Sequence, residues 1–254
     1  MPNLSQIKAF HERFKSDSPF LQNDIRTANQ ESHDQDRLEK GFQNVLRNLG
    51  TEYTMYFDLG YDAGIALVYI DICSFSERYA QFSPGEMADF LDAYYSRIIP
   101  IIYEHGGEID RIMGDGIVAV FGPPFLNLPE DRVVIKALAC SLKSIVLTHH
   151  TGFYSKVALY AGQIRYYRNK SADYPEYTII GKPVTELHRL ESIANDNSIT
   201  YYSDSYVDQI IELLKKQGNL PPYNHPRWLC TTSQQIIPAL RGIDFTQVKC
   251  IQHL

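Results

Sequence analysis

The spacing of apolar positions switches between a helical and an alternating or continuous pattern, and the switches mark out the elements. Leu4, Ile7, Phe10 and Phe14 recur at helical spacing and predict an amphipathic helix over 5–15. Residues 23–35 are charged and amide-rich with no apolar face and read as a linker or a solvated helix. Phe42, Val45, Leu46 and Leu49 predict a second short helix over 38–49, ended by Gly50. The run IALVYIDI at 65–72 is branched and continuous, the pattern of a buried strand. Ser83-Pro84-Gly85-Glu86 then reads as a capping box with proline at the first helical position. Its helix carries Met87, Phe90, Leu91, Tyr94, Ile98, Ile101 and Ile102 as far as Gly106-Gly107.

Residues 108–122 read as strand, tight turn, strand, with Gly114-Asp115-Gly116 supplying residues tolerant of positive φ at the turn. Strand, helix and hairpin together predict a right-handed crossover back into one sheet. Further helices are expected at about 127–150, 183–194 and 204–217. Strands are expected at 156–167, 177–180, 199–202, 236–240 and 245–251, with polar loops at 169–175 and 218–226. This alternation predicts one α/β domain, an α+β sandwich of helices on a sheet that contains antiparallel strands. The boundary is drawn between an N-terminal helical extension at 1–50 and the domain proper at 51–254. The extension holds too few large apolar groups for a core of its own.

The chain has 254 residues and a formal net charge of -6. That balance argues against a nucleic-acid surface and leaves room for a local basic pocket. Cys73, Cys140, Cys230 and Cys250 are scattered without a CxxC pair and read as reduced thiols. The start lacks the apolar run of a signal peptide. The longest apolar run, 65–70, falls far short of the roughly 20 residues of a membrane span. A cytoplasmic protein with no membrane span is expected.

The candidate chemistry is a pair of carboxylates. Asp71 ends the buried strand, and Asp115 sits on the hairpin that should return beside it. If the two pair, the carboxylates converge, and like charges in one place raise each other's pKa. Magnesium removes that conflict, since it is bound by one or two carboxylates together with substrate phosphates. Alternatively, Asp71 caps the turn after its strand and Asp115 only favours its hairpin. Residue types alone leave both readings open.

The surrounding residues resemble a known family. Ile70-Asp71-Ile72-Cys73-Ser74-Phe75-Ser76 is similar to the metal-binding strand of class III nucleotidyl cyclases, roughly phenylalanine-x-Asp-Ile-x-x-Phe-Thr. His105 to Gly116 resembles that family's central hairpin. Tyr177 to Val184 resembles the strand before its catalytic helix, His188-Arg189-Leu190-Glu191-Ser192 the helix itself, and Leu240-Arg241-Gly242-Ile243 the terminal strand. The likeness runs in order from about residue 62 to the C-terminus.

It implies a ferredoxin-like cyclase fold working as a head-to-tail homodimer with shared active sites. Two Mg²⁺ or Mn²⁺ ions per site would sit on Asp71, Asp115 and the carbonyl of Ile72. The amides of Cys73, Ser74, Phe75 and Ser76 would cradle a nucleoside triphosphate. Arg189, from the other subunit, matches the catalytic arginine. Thr185 stands where the family has an asparagine that orients the ribose, and a hydroxyl still donates and accepts. Lys182 replaces a usual aspartate.

The resemblance implies that the base is faced by Arg111, where adenylyl cyclases have lysine and guanylyl cyclases glutamate, together with Thr178 and Tyr69. A donor-only fork suits an acceptor-rich base edge. These features resemble the stand-alone bacterial pyrimidine cyclases of anti-phage signalling, and the expected substrate is UTP or CTP, then ATP, with GTP last. The alternatives are an adenylate or guanylate cyclase, a nucleotide-binding or dimerisation module without turnover, and a diguanylate-cyclase-like enzyme, whose hairpin motif is missing. His149-His150 is expected at a helix C-terminus without zinc, His188 facing away from Arg189, and Trp228 as a core or interface anchor. The paired tyrosines are expected in packing.

Overall fold

The computed structural model describes residues 51–169, 176–218, 228–236, 245 and 247–253. The helices expected at 5–15 and 38–49 and most of the two polar loops lie outside these residues. Helix α1, Thr51–Phe57, leads into strand β1, Asp62–Ile72. The single turn α2, Phe75–Arg78, and the long helix α3, Pro84–Glu104, follow. The hairpin is β2, Glu108–Met113, and β3, Gly116–Phe121. Then come α4, Glu130–Thr148, and β4, Ser155–Asn169. The chain goes on through β5, Glu176–Ile180, α5, Lys182–Glu191, and β6, Ser198–Tyr202. It ends with α6, Tyr206–Lys216, β7, Trp228–Ile236, and β8, Gln247–His253.

One sheet runs in the order β2-β3-β1-β4-β6-β8-β7, with β5 paired onto β4. β1 lies antiparallel between β3 and β4. The segment β1-α3-β2-β3-α4-β4 is therefore a βαββαβ unit in the order of a ferredoxin-like sheet. The mixed α/β fold expected from the pattern is the one observed.

β1 explains the two-sided core. Ala66, Val68, Ile70 and Ile72 face a core built with α3, α4 and α6. Ile65, Leu67 and Tyr69 face a second core with Leu187 and Leu190 of α5 and Phe57 of α1. A strand buried on both faces must be apolar almost throughout. Asp71 follows Tyr69 in the same alternation, so it belongs to the α5 face at the strand's end.

The capping box forms as expected: Ser83 accepts from the Glu86 amide, and Glu86 accepts from the Ser83 amide. At the hairpin, Met113 pairs with Gly116, so Gly114 and Asp115 make the turn. Gly114 takes the positive φ, 60°. Gly116 serves a different need, because a β-carbon there would lie 2.5 Å from the Tyr69 ring.

Two corrections concern elements. A strand at Trp228–Ile236, paired with β8, was not expected, and the strand expected at 236–240 falls, beyond Ile236, outside the described residues. Helices α1 and α2 went unpredicted, being too short to show a period.

Candidate active site

The β1–β3 register pairs Ile70 with Ile117, which brings the end of β1 beside the hairpin tip. Asp71 and Asp115 meet there, close enough for the Asp115 carboxyl to act on Asp71. Burial, then the Asp115 carboxyl, push Asp71 up to about 6, while Lys156 pulls it back. Two carboxyls that raise each other's cost of ionisation are the donor set a divalent cation would relieve. Among the described residues there is no cluster of three or more His, Cys, Asp or Glu side chains fit to hold a metal. Two carboxylates with the Ile72 carbonyl therefore fit a cation that takes its remaining ligands from substrate phosphates and water, and do not fit a closed all-protein cage.

Helix α3 fixes the tip: the Tyr95 hydroxyl donates to the Gly114 carbonyl. Lys156 on β4 stands opposite Asp71 in the ladder. Its ammonium lies 3.4 Å from Asp71 Oδ2 and 2.8 Å from Glu191 Oε1 at the end of α5. Burial draws the Lys156 pKa down, but the Glu191 bond and the Asp71 charge more than offset it, and the net shift is upward. Neither Lys156 nor Glu191 was picked out from the sequence, because only strand register places that lysine against Asp71.

Past β1 the chain turns through Ser74 in the left-handed region, φ 50°. The Cys73 amide donates to the Tyr154 carbonyl at 2.7 Å, and the Cys73 side chain is buried. Cys73 therefore leaves the expected phosphate nest. Phe75 and Ser76 open α2, where the first amides of a helix have no intrahelical acceptor. A cavity of about 280 Å³ lies beside this turn, lined by Ser74, Arg78 and Asp196 among others.

Of the expected base-facing residues, Tyr69 and Arg111 fall on the α5 side of the sheet, whereas Thr178 alternates with Ile179 of that core and lies on the other face of β5. Val118 links Arg111 on β2 to Tyr69 on β1 through the two ladders. A bulge between Ile109 and Arg111 buries Asp110, and Arg111 Nε donates to Asp110 Oδ2 at 2.5 Å. Tyr69 is buried, and its ring meets the His188 ring edge-on with centroids 5.4 Å apart. Burial and then the Arg111 charge hold His188 below the usual histidine range. His188 thus faces this cluster. Thr178 is half-buried on β5, opposite Tyr167. Its neighbour Ile179 and Asp110 line one small cavity of about 10 Å³.

Helix α5 splits its functional residues by direction. Pro183, Glu186, Leu187 and Leu190 are buried. Thr185 is exposed and Arg189 half-buried, one turn apart and so on one face. The Arg189 charge acts on Tyr202, whereas the charges acting on Asp71 are those of Asp115 and Lys156. One chain thus assembles the carboxylates and the lysine, while Arg189 is carried on another face. At the far end of β8, His149 hydrogen-bonds Asn197 and packs edge-on against His253.

No family model matches the chain. The uncharacterized protein Rv1320c of Mycobacterium tuberculosis is 29% identical over 138 residues, which cover 53% of this chain and 24% of that protein. The uncharacterized protein Rv1318c of the same organism is 26% identical over 136 residues, 53% of this chain and 25% of that protein. The chain spans about a quarter of the length of these curated relatives. The adenylyl cyclase CyaB from P. aeruginosa superposes with a TM-score of 0.61 at 19% identity, covering 77% of this chain and 96% of that chain. The guanylate cyclase domain of RhGC from Catenaria anguillulae, solved with GTP, gives 0.60 at 16% identity, covering 76% and 98%. The guanylyl cyclase Cya2 gives 0.54 at 19% identity, covering 76% and 92%. The fold is that of adenylyl and guanylyl cyclase catalytic domains. No described helix is long and apolar enough to cross a membrane.

Proposed function

We propose that residues 51–254 are a class III nucleotidyl cyclase domain that converts a nucleoside triphosphate to a 3′,5′-cyclic nucleotide and pyrophosphate. The observation that carries this reading is the juxtaposition of Asp71 and Asp115 at the end of the central strand of a cyclase fold. In the reaction the 3′-oxygen bonds to the α-phosphorus, the bond from that phosphorus to the bridging oxygen breaks, and pyrophosphate leaves. Asp71, Asp115 and the Ile72 carbonyl would hold two Mg²⁺ or Mn²⁺ ions, which when bound lower the pKa of the attacking hydroxyl and neutralise the leaving group. The amides of Ser74, Phe75 and Ser76 contact phosphate oxygens. Lys156 adds a cation beside the carboxylates. Arg189 and Thr185 are supplied by the second subunit of a head-to-tail dimer, the arginine to the α-phosphate and the threonine to the ribose. Their separate face on α5 supports this division.

We further propose a pyrimidine substrate, UTP or CTP, and a second messenger made in antiviral defence. Support for the base comes from Arg111, whose Nε is held by Asp110 so that its terminal amines do the reading. The Tyr69–His188 contact adds bulk on the same side of the sheet. The defence role rests on the likeness to stand-alone pyrimidine cyclases. Purified protein incubated with Mn²⁺ and ATP, GTP, CTP or UTP in separate reactions, with products identified by mass, tests both layers. Cyclic UMP or CMP as the main product is expected. Cyclic AMP or GMP as the main product defeats the base assignment, and no cyclic product defeats the cyclase reading.

A further inference from the structure

Glu191 is the last residue of α5, where a carboxylate is disfavoured by the negative end of the helix dipole. Helix stability therefore does not explain it. Its partner does. The Glu191 carboxylate holds the Lys156 ammonium at 2.8 Å, and the same ammonium is 3.4 Å from Asp71 Oδ2. The Asp71, Glu191 and Lys156 side chains are 16%, 17% and 19% exposed, so solvent screens these contacts only in part.

Cross-strand pairing brings Lys156 to Asp71 whatever α5 does. The shorter bond goes to Glu191, so the helix carboxylate takes the larger share of the ammonium. Without it, the ammonium is left with Asp71 as its neighbouring carboxylate and closes onto the oxygen that a divalent cation needs. We propose that Glu191 is a positioning residue that draws Lys156 off Asp71 and keeps that carboxylate open to the cation. The inference rests on the reading of Asp71 as a cation ligand.

The test is Mn²⁺ binding to the nucleotide-free full chain, measured by calorimetry and by the electron paramagnetic resonance signal of free Mn²⁺. Glu191→Gln should weaken Mn²⁺ binding about fivefold, the scale of one partly exposed ion pair. In a Lys156→Gln background the same change should have no effect, because no ammonium is left to reposition. Glu191→Asp, with a shorter arm, should fall between wild type and Glu191→Gln. Unchanged affinity in Glu191→Gln overturns the inference, and so does a loss that persists in the Lys156→Gln background, which would make Glu191 a ligand or a fold residue. Wild type that forms cyclic product while Glu191→Gln binds Mn²⁺ normally refutes this inference alone. Wild type that binds Mn²⁺ with the expected Glu191 dependence but forms no cyclic product refutes the cyclase reading alone.

Discussion

Asp71 and Asp115 face each other across the end of the β1–β3 pair, and burial together with the Asp115 carboxyl raises the Asp71 pKa to about 6. Between pH 3.8 and about 6 the native chain therefore holds a proton that the unfolded chain releases. Where the native state binds more protons, stability falls as pH rises. This pair thus lowers the stability of cation-free protein progressively between pH 3.8 and about 6, with the full loss present above that. Asp71→Asn should gain in Tm relative to wild type across this window. Saturating Mn²⁺ at pH 7.5 should raise the Tm of wild type and leave Asp71→Asn nearly unmoved. Thermal melts in chelator and in Mn²⁺, taken at several pH values, measure both.

Gly116 and Gly114 should respond differently to alanine. At Gly116 the new methyl meets the Tyr69 ring at 2.5 Å, deep in the second core. Overpacking of this kind costs about 1–3 kcal/mol. At Gly114 there is open space and only the positive φ to resist, worth about 1 kcal/mol. Chemical denaturation should rank Gly116→Ala as the worse of the two, and Tyr69→Leu in the same chain should recover part of the Gly116→Ala loss.

Arg111→Gln removes the donor fork while leaving Asp71 and Asp115 in place. The kcat/KM for the preferred triphosphate should fall by roughly tenfold or more, the worth of one bidentate contact to a base edge. The ratio between the four triphosphates should flatten. A uniform fall across all four would mean that Arg111 supports the hairpin through Asp110 and does not read the base.

Shared sites predict complementation. Asp71→Ala and Arg189→Ala proteins should each be inactive alone, since each lacks one half of both sites. Mixed in equal amounts they form heterodimers with one intact site, and about a quarter of wild-type activity should return. No recovery in heterodimers proven by mass would place Arg189 in the same chain's site or outside the reaction.

The parts of the fold legible in the sequence were the local ones. The Ser83–Glu86 capping box, the apolar run of β1 and the glycine-flanked turn at Asp115 each carry their signal within a few residues. What escaped depends on register. Lys156 gains its meaning only when β4 is set against β1 so that it faces Asp71. The bulge that buries Asp110 under Arg111 leaves no mark in the residue pattern. His188 reaches Tyr69 because of where α5 lies across the sheet, which helical spacing alone does not give. β7 went unexpected because its residues, Thr231, Thr232 and Ser233 among them, lack an apolar alternation.

Cyclisation makes one pyrophosphate for every cyclic nucleotide, and this ratio tests the central claim most directly. A single reaction of wild-type protein with Mn²⁺ and its preferred triphosphate should yield the two products in equal amounts, and neither should appear with Asp115→Asn. Release of inorganic phosphate without a cyclic product, or equal turnover by Asp115→Asn, would contradict the assignment of the Asp71–Asp115 pair as the centre of a nucleotidyl cyclase.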